Sequence, residues 1–315
     1  MMNMYIFVIV INQRFNMILS KIRIRYKYLK HKILKSPRYL LTKRVISFLQ
    51  DENDAPPTGT EREELIKFLR RHVVEIFNYP FMLKYHYRGV KIYCDRDTGL
   101  HYVLTDENRR LYFKRNMKFA HIRSTYNNLC MEQHLQSPHN YCFDDLSIHS
   151  DSIFADVGAA EGIFTLKFID KIKTAYLFEC DNGWTEALQA TFSPWKEKVV
   201  IVNRFVSNKN NDEFTSLDHF FRNCDKPTLI KVDVEGAESE VLKGADKLLN
   251  DRIDHLLVCT YHQSGDEQNI SELLREKEYK VVPSPRYMLM IRDRPKYSPE
   301  GHFEFRRGLI HASKL

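Results

Sequence analysis

From Ser152 onward the chain adopts a strand–helix rhythm that few folds can satisfy. Apolar runs fall near 152–157, 174–179, 198–206, 228–233 and 255–261. Helices are expected to open between them near Gly162, Gly183, Ser216 and Ala237, with a further one over about 268–277. Runs such as TLIKVD and HLLVCT are nearly continuous in apolar residues instead of alternating with polar ones. A strand of that kind must be covered on both faces, as in a parallel sheet clothed by its own crossover helices. The alternation therefore predicts an α/β fold with a doubly wound, mostly parallel sheet over 151–315. Ligands on such sheets collect outside the carboxyl ends of the strands, so the informative residues are those that follow each strand.

Upstream the pattern differs. DENDAPPTGT (51–60) is polar, carries Pro56, Pro57 and Gly59, and reads as a linker. Thr60 with Glu63 forms a capping-box pattern that opens a helix expected to run to about Phe77. VKIYC, HYVL and RLYF, separated by DRDTG and TDENR, read as hairpins, so 61–150 is expected to be a small α+β cap of one helix and hairpins.

The formal charge of +7 is unevenly placed. Residues 1–50 hold eleven Lys or Arg and no acid, which leaves 37 basic against 41 acidic residues in the remainder. The basicity belongs to an N-terminal arm and not to a domain face, which argues against a nucleic-acid partner. The apolar run Met4–Ile11 is too short to span a bilayer, which needs about 20 residues. It also lacks the flanks of a signal peptide. KIRIRYKYLKHKILK (21–35) mixes basic and apolar residues as a surface helix on anionic lipid does, or as a solvated basic arm does. Six cysteines (Cys94, Cys130, Cys142, Cys180, Cys224, Cys259) stand singly without a C-x-x-C pair. That excludes a recognisable zinc or disulfide framework and points to the reducing cytoplasm. On the lipid reading of 21–35 the arm would lie at the inner face of the membrane.

The residues at the strand ends carry chemistry. The first run ends FADVGAAEGIFTL, where Gly158 lets backbone approach a ligand and Gly162 opens the next helix without a Cβ. Asp156, Gly158, Ala159 and Gly162 are the candidate binding residues of this loop. Its spacing is G-x-x-x-G, not the dinucleotide G-x-G-x-x-G, so a nucleoside ligand without phosphates fits better than a pyrophosphate. The second run ends YLFECD, placing Glu179 21 residues after Gly158, where an acid that accepts from both ribose hydroxyls is expected. The third run delivers Ser207 and Asn208 to flank an adenine. The fourth, LIKVDVEGAESEVLKGA, ends in Asp233, Glu235 and Glu238, and the fifth in Tyr261 and His262. Three carboxylates at the end of an apolar strand are tolerable only where the strand meets a polar cleft.

FADVGAAEGIFTL, YLFECD, FTSLDHFF and IKVDVEGAESEVLKGA, in this order, resemble the FkbM-type S-adenosylmethionine-dependent methyltransferases over about 152–282. LYFKR and EQHLQSPHNY add weaker similarity, the second to members found in bacterial polysaccharide gene clusters. The resemblance implies a Rossmann-like class I methyltransferase fold, S-adenosyl-L-methionine as donor, and O-methylation of a sugar or polyketide hydroxyl. Asp156, Gly158 and Gly162 then match the donor loop, Glu179 the ribose acid, and Asp233 with Glu235 the acidic pair after the fourth strand. GAAEG departs from the usual GANxG, so Ala160 lacks an amide, and CTYH departs from a more common Glu-containing turn.

Methyl transfer from a sulfonium is an in-line displacement, so a hydroxyl acceptor needs positioning and a base. His262 is the preferred base, with Asp233, Glu235 or His139 as alternatives. Asp233 and Glu235 could supply oxygen ligands, but the sequence completes no metal site and none is expected. Glu238 is assigned to the dipole of the helix that follows, Glu240 and Lys243 to a surface pair, and His219 and His255 to ordinary positions. Two other classes stay open: a donor-binding but catalytically silent partner in a glycan assembly complex, and a nucleotide-linked oxidoreductase.

Overall fold

The structure is a computed structural model that describes residues 25–26, 28–51, 55–144, 146–251, 253–292 and 297–314. The apolar run Met4–Ile11 and the first residues of the 21–35 stretch lie outside the described residues. The chain divides into two compact units, each built from separate segments. The first takes the residues up to His86, Gln136–Pro138 and Pro285–Arg306; the second takes Tyr87–Leu135, His139–Ser284 and Arg307–Leu315. Residues 51–60 and 61–150 thus do not delimit units of their own.

In the first unit the end of the basic arm is not a solvated tail. Pro37–Gln50 is a helix, capped by Ser36 Oγ accepting from the Tyr39 N–H at 3.3 Å, and it buries Leu41, Thr42, Val45 and Leu49. The next helix spans Gly59–Leu69, with Thr58 and not Thr60 at its N-cap, and ends well before Phe77. Past its end, Val74 N–H donates to Thr42 Oγ1 at 3.0 Å, and Arg38 Nε donates to the Val74 carbonyl at 2.7 Å. Strands Tyr287–Ile291 and Phe303–Arg307 pair in a two-stranded sheet. No helix among the described residues is long and apolar enough to cross a membrane.

The second unit holds the expected sheet. Its strands are β1 (Ile153–Val157), β2 (Thr174–Phe178), β3 (Val199–Val202), β4 (Leu229–Val232), β5 (His255–Cys259), β6 (Tyr279–Pro283) and β7 (Leu309–Lys314). They lie in the order β6-β7-β5-β4-β1-β2-β3. Strands β1 to β5 are mutually parallel, and β7 runs antiparallel between β5 and β6. Successive residues feed opposite cores: Ala155, Val157, Ile230, Val232, Leu256 and Val258 join one, while Phe154, Leu229, Leu257 and Cys259 join the other. That double covering is why these strands read as unbroken apolar runs.

The chain moves outward from β1 through β2 and β3, then crosses back to β4 on the other side of β1. The reversal opens a crevice at the carboxyl ends of β1 and β4. Ahead of it, Tyr93–Cys94, His101–Leu104 and Arg110–Tyr112 form a three-stranded antiparallel sheet, as the turn-rich spacing predicts, and a helix spans Phe119–Glu132. The third parallel strand departs from expectation by ending at Val202 and not at Val206. Asn203 Nδ2 donates to the Glu179 carbonyl and to Thr185 Oγ1, both at 2.9 Å, which draws the chain out of the sheet. Phe205–Val206 pairs separately with Phe214–Thr215.

Candidate active site

The turn after β1 is shaped by a close approach of two strands. Gly158 has φ of +77°, and a Cβ there would stand 1.8 Å from the Asp233 carbonyl oxygen. Its N–H and that of Ala159 both donate to the Phe178 carbonyl at 3.0 and 3.1 Å, tying the loop to β2. Ala160 is left-handed at φ +46°, and its N–H donates to Glu179 Oε2 at 2.9 Å. Glu179 Oε1 accepts from the Asp181 N–H at 2.8 Å, so this carboxylate clamps the loop from the end of β2. Gly162 caps the helix Ile163–Phe168, and a Cβ there would meet Phe192 and Leu188 side chains at 2.7 and 2.8 Å.

Beneath the loop, Asp156 and Lys231 are cross-strand partners on β1 and β4. Both are buried, and Lys231 Nζ donates to Asp156 Oδ1 at 2.8 Å and to the Gly158 carbonyl at 3.0 Å. Thr165 Oγ1 donates to Asp156 Oδ2 at 2.6 Å. Burial alone would lower the lysine's pKa, but the charges of Asp156 and Asp233 outweigh it and hold Lys231 above its ordinary range. Asp156 is therefore fully engaged by the protein, and Lys231 is the residue that fixes it.

A cavity of about 190 Å³ opens over this pair. Its walls carry the carboxyls of Glu132, Glu161, Asp233 and Glu235, with His139, Tyr141, Tyr261 and Phe164. Burial pushes the Glu161 carboxyl up to about 7. Burial and the neighbouring Glu161, Asp233 and Glu235 push Glu132 to about 8. For Asp233 burial works upward but loses to Lys231, His139, His262 and the Tyr141 hydroxyl, which donates at 2.8 Å, so its pKa lies below the ordinary value. His139 is buried and pushed down to about 4, chiefly by desolvation, which leaves a neutral ring on the cavity wall. Glu235 sits in a left-handed turn at φ +56° with its side chain 92% exposed.

His262 lies behind these acids and is not part of the cavity lining. Its Nε2 is 3.8 Å from Asp233 Oδ1 and 3.6 Å from Glu235 Oε2, and its Nδ1 is 2.8 Å from Glu238 Oε1. Burial lowers the His262 pKa, but Glu238, Asp233 and Glu235 together raise it. Glu238 is 1% exposed, and its Oε1 also accepts from the Val234 and Gly236 N–H groups at 3.1 and 3.3 Å. Glu238 is therefore more than a helix-dipole acid: it anchors the turn after β4 and faces the imidazole.

The structure brings together Asp156, Gly158, Ala159, Asp233 and Glu235 around one cavity, with Glu179, Gly162 and His262 supporting it from behind. Ser207 and Asn208 are not among the residues that line this cavity. With β3 ending at Val202, they lie against Gly244, where a Cβ would meet the Ser207 carbonyl oxygen at 2.1 Å. The strand end that was to carry them toward an adenine is occupied by Asn203. Sequence reasoning passed over Glu132, Glu161, Tyr141 and Lys231. A lysine inside the apolar run LIKV was the one available signal, since such a residue needs a buried acid nearby.

The description "Methyltransferase FkbM domain" fits residues 156–285, the segment from the acid of β1 to just past β6. Over these residues the chain is similar to the FkbM methyltransferase domain. Among known proteins, the methyltransferase sdnD of Sordaria araneosa is 38% identical over 72 residues, 23% of this chain and 24% of that protein. An FkbM methyltransferase from Methylobacillus flagellatus KT shares 16% identity at a TM-score of 0.43, over 64% of this chain and 56% of that one. M. capricolum TrmK, in complex with S-adenosyl-homocysteine, shares 14% identity at a TM-score of 0.34, over 53% and 64%. The chain spans about a quarter of the first relative's length and just over half of the second's. Within the matched segment fall the glycine loop, Glu179, Lys231, Asp233, Glu235, Glu238 and His262; Glu132, His139 and Tyr141 lie upstream of it.

Proposed function

We propose that this chain is an S-adenosyl-L-methionine-dependent O-methyltransferase whose acceptor is a hydroxyl of a sugar, in a glycan or a secondary metabolite. The observation that carries the reading is the acid-lined cavity set over the glycine turn at the β1/β4 crevice. A sulfonium with an amino-acid tail is cationic at its reacting end, and Glu132, Glu161 and Asp233 complement it. A pyrophosphate placed there would meet the same acids as repulsion, which opposes the oxidoreductase alternative.

The donor supplies an already activated methyl group. The chain has to hold the acceptor oxygen in line with it and receive the hydroxyl proton. Asp233, ionised and facing the cavity, accepts the hydroxyl's hydrogen bond and points the oxygen lone pair inward. Tyr141 holds the other edge of that carboxylate, and His262 stands behind it, steadied by Glu238.

Calorimetric titration of the purified protein with S-adenosyl-L-methionine and, separately, NADH tests the donor. Saturable binding of the first and none of the second is expected. Tighter binding of NADH sinks the reading. Mass spectrometry of glycans from cells with and without the gene tests the acceptor, with loss of one methyl on a defined sugar as the expected result. Asp233→Asn, assayed at saturating donor, should lose at least about a hundredfold in transfer rate, the lower end of a general-base contribution.

A further inference from the structure

We infer that Asp233, Glu238 and His262 form a divalent-cation site at the edge of the donor cavity. A carboxylate oxygen of Asp233, one of Glu238 and a ring nitrogen of His262 lie within 4.8 Å of one another. That spread suits three ligands around a shared ion at about 2.0–2.2 Å from each, after a small contraction. Glu238 supplies an independent sign. Its side chain is buried at 1% exposure, and among the described residues its Oε2 has no hydrogen-bond partner. The Oε1 is occupied by the Val234 and Gly236 N–H groups and by His262 Nδ1, so Oε2 is the oxygen of this buried carboxylate left for an ion.

The surroundings agree. The Nε2 of His262 faces Asp233 Oδ1 at 3.8 Å and Glu235 Oε2 at 3.6 Å, too long for hydrogen bonds and close to the edge of a coordination polyhedron. Glu235 is exposed at the mouth, where it can swing in as a further ligand. The second cluster in this region, His139, Asp233 and Cys259, is less suited. Its thiol is held well above its ordinary pKa by burial and already shares a 3.2 Å contact with the Tyr141 hydroxyl. Imidazole combined with carboxylates selects a first-row ion such as Mn²⁺ or Co²⁺ over Ca²⁺.

The site's use rests on the proposed methyl transfer. Asp233 lines the cavity, so an ion on it could also take an acceptor hydroxyl, lower that group's pKa so that its proton passes to water at the cavity mouth, and fix its distance from the methyl carbon. His262 then acts as a ligand instead of the proton acceptor. The existence of the site does not depend on that reading.

Chelator-treated protein titrated with MnCl₂ alone, without donor or acceptor, tests the site by calorimetry and by loss of the free-Mn²⁺ electron paramagnetic resonance signal. One ion per chain is expected. Glu238→Gln and His262→Gln should each weaken binding at least about tenfold. Glu240→Gln, on the exposed face of the same helix, should bind as the wild type. Absence of saturable binding up to millimolar Mn²⁺, or equal binding by all the variants, overturns the inference. If circular dichroism finds a variant unfolded, CoCl₂ added to the wild type decides: ligand-field bands from a nitrogen–oxygen site support it, and a spectrum identical to aqueous Co²⁺ defeats it. Donor titration repeated in chelator separates the outcomes, because S-adenosyl-L-methionine binding without metal leaves the methyltransferase reading standing while the cation site falls.

Discussion

Gly158 passes close to the backbone after β4, and Gly158→Ala is the substitution that most directly probes that approach. A Cβ built on the present backbone stands 1.8 Å from the Asp233 carbonyl oxygen and 2.8 Å from its carbon, where ordinary contact is about 3.5 Å. Both are main-chain atoms, so relief requires parting the ends of β1 and β4, which strains the Asp233 N–H to Val157 carbonyl bond of 3.0 Å. Holding alanine at φ +77° costs about 1–2 kcal/mol, the overpacking about 1–3, and the weakened hydrogen bond about 1. The expected destabilisation is about 3–6 kcal/mol, a fall in Tm of about 6–24 °C for a unit of this size. Differential scanning fluorimetry measures it, with calorimetric donor titration alongside. Gly183→Ala is the control, since its Cβ would meet only side-chain atoms, at 3.1 Å or more, and its φ is not left-handed. A Gly158→Ala protein melting within about 2 °C of the wild type and binding donor equally well would refute the argument that this approach requires glycine.

Three further outcomes are expected. Asp156→Ala takes the 2.8 Å carboxylate from the buried Lys231 ammonium, leaving it the Gly158 carbonyl and the charge of Asp233, and should cost about 3 kcal/mol, whereas Asp156→Leu with Lys231→Met should be close to neutral by thermal unfolding. Donor affinity should rise between about pH 6 and 8.5, because Glu161 and Glu132, with pKa values near 7 and 8, become anionic as pH increases and a cationic ligand prefers them so. The same raised pKa values favour the folded state below the unfolded carboxyl range of about 4.3, and that stabilisation is lost as pH rises through 7 to 8. Unliganded protein should accordingly melt lower at pH 8.5 than at pH 6 from this cause, and Glu161→Gln should flatten both trends. Tyr141→Phe removes one hydrogen bond to Asp233 and should cost about 0.5–1.5 kcal/mol of stability while slowing methyl transfer more than it weakens donor binding.

The parallel strands, most of their helix starts and the glycine loop were legible in the residues because each has a local cause. Double-sided burial writes continuous apolar runs, and Gly158 and Gly162 mark backbone that no other residue adopts cheaply. Ser216 likewise marks a helix start, accepting from the His219 N–H. Asp233 and Glu235 could be placed at the crevice for the same reason: a strand's end has a fixed place on a doubly wound sheet. The end of β3 was misplaced because a side chain of the loop, Asn203, takes the chain out of the sheet, and nothing local to VVIVNRFV announces that. Strands β6 and β7 escaped notice because 285–306 leaves for the other unit between them.

The sequence by itself determined which residues could reach the crevice. Only the tertiary structure decided what each does there. Glu238 looks like a helix-start acid until His262, which follows β5, is set 2.8 Å away. Glu132, from a helix far upstream, becomes a titrating wall only when Glu161, Asp233 and Glu235 surround it. Lys231 is an anomaly in its strand until β1 supplies Asp156 in register. Charges act through space and desolvation, and neither distance nor burial is written in the spacing of residues along the chain.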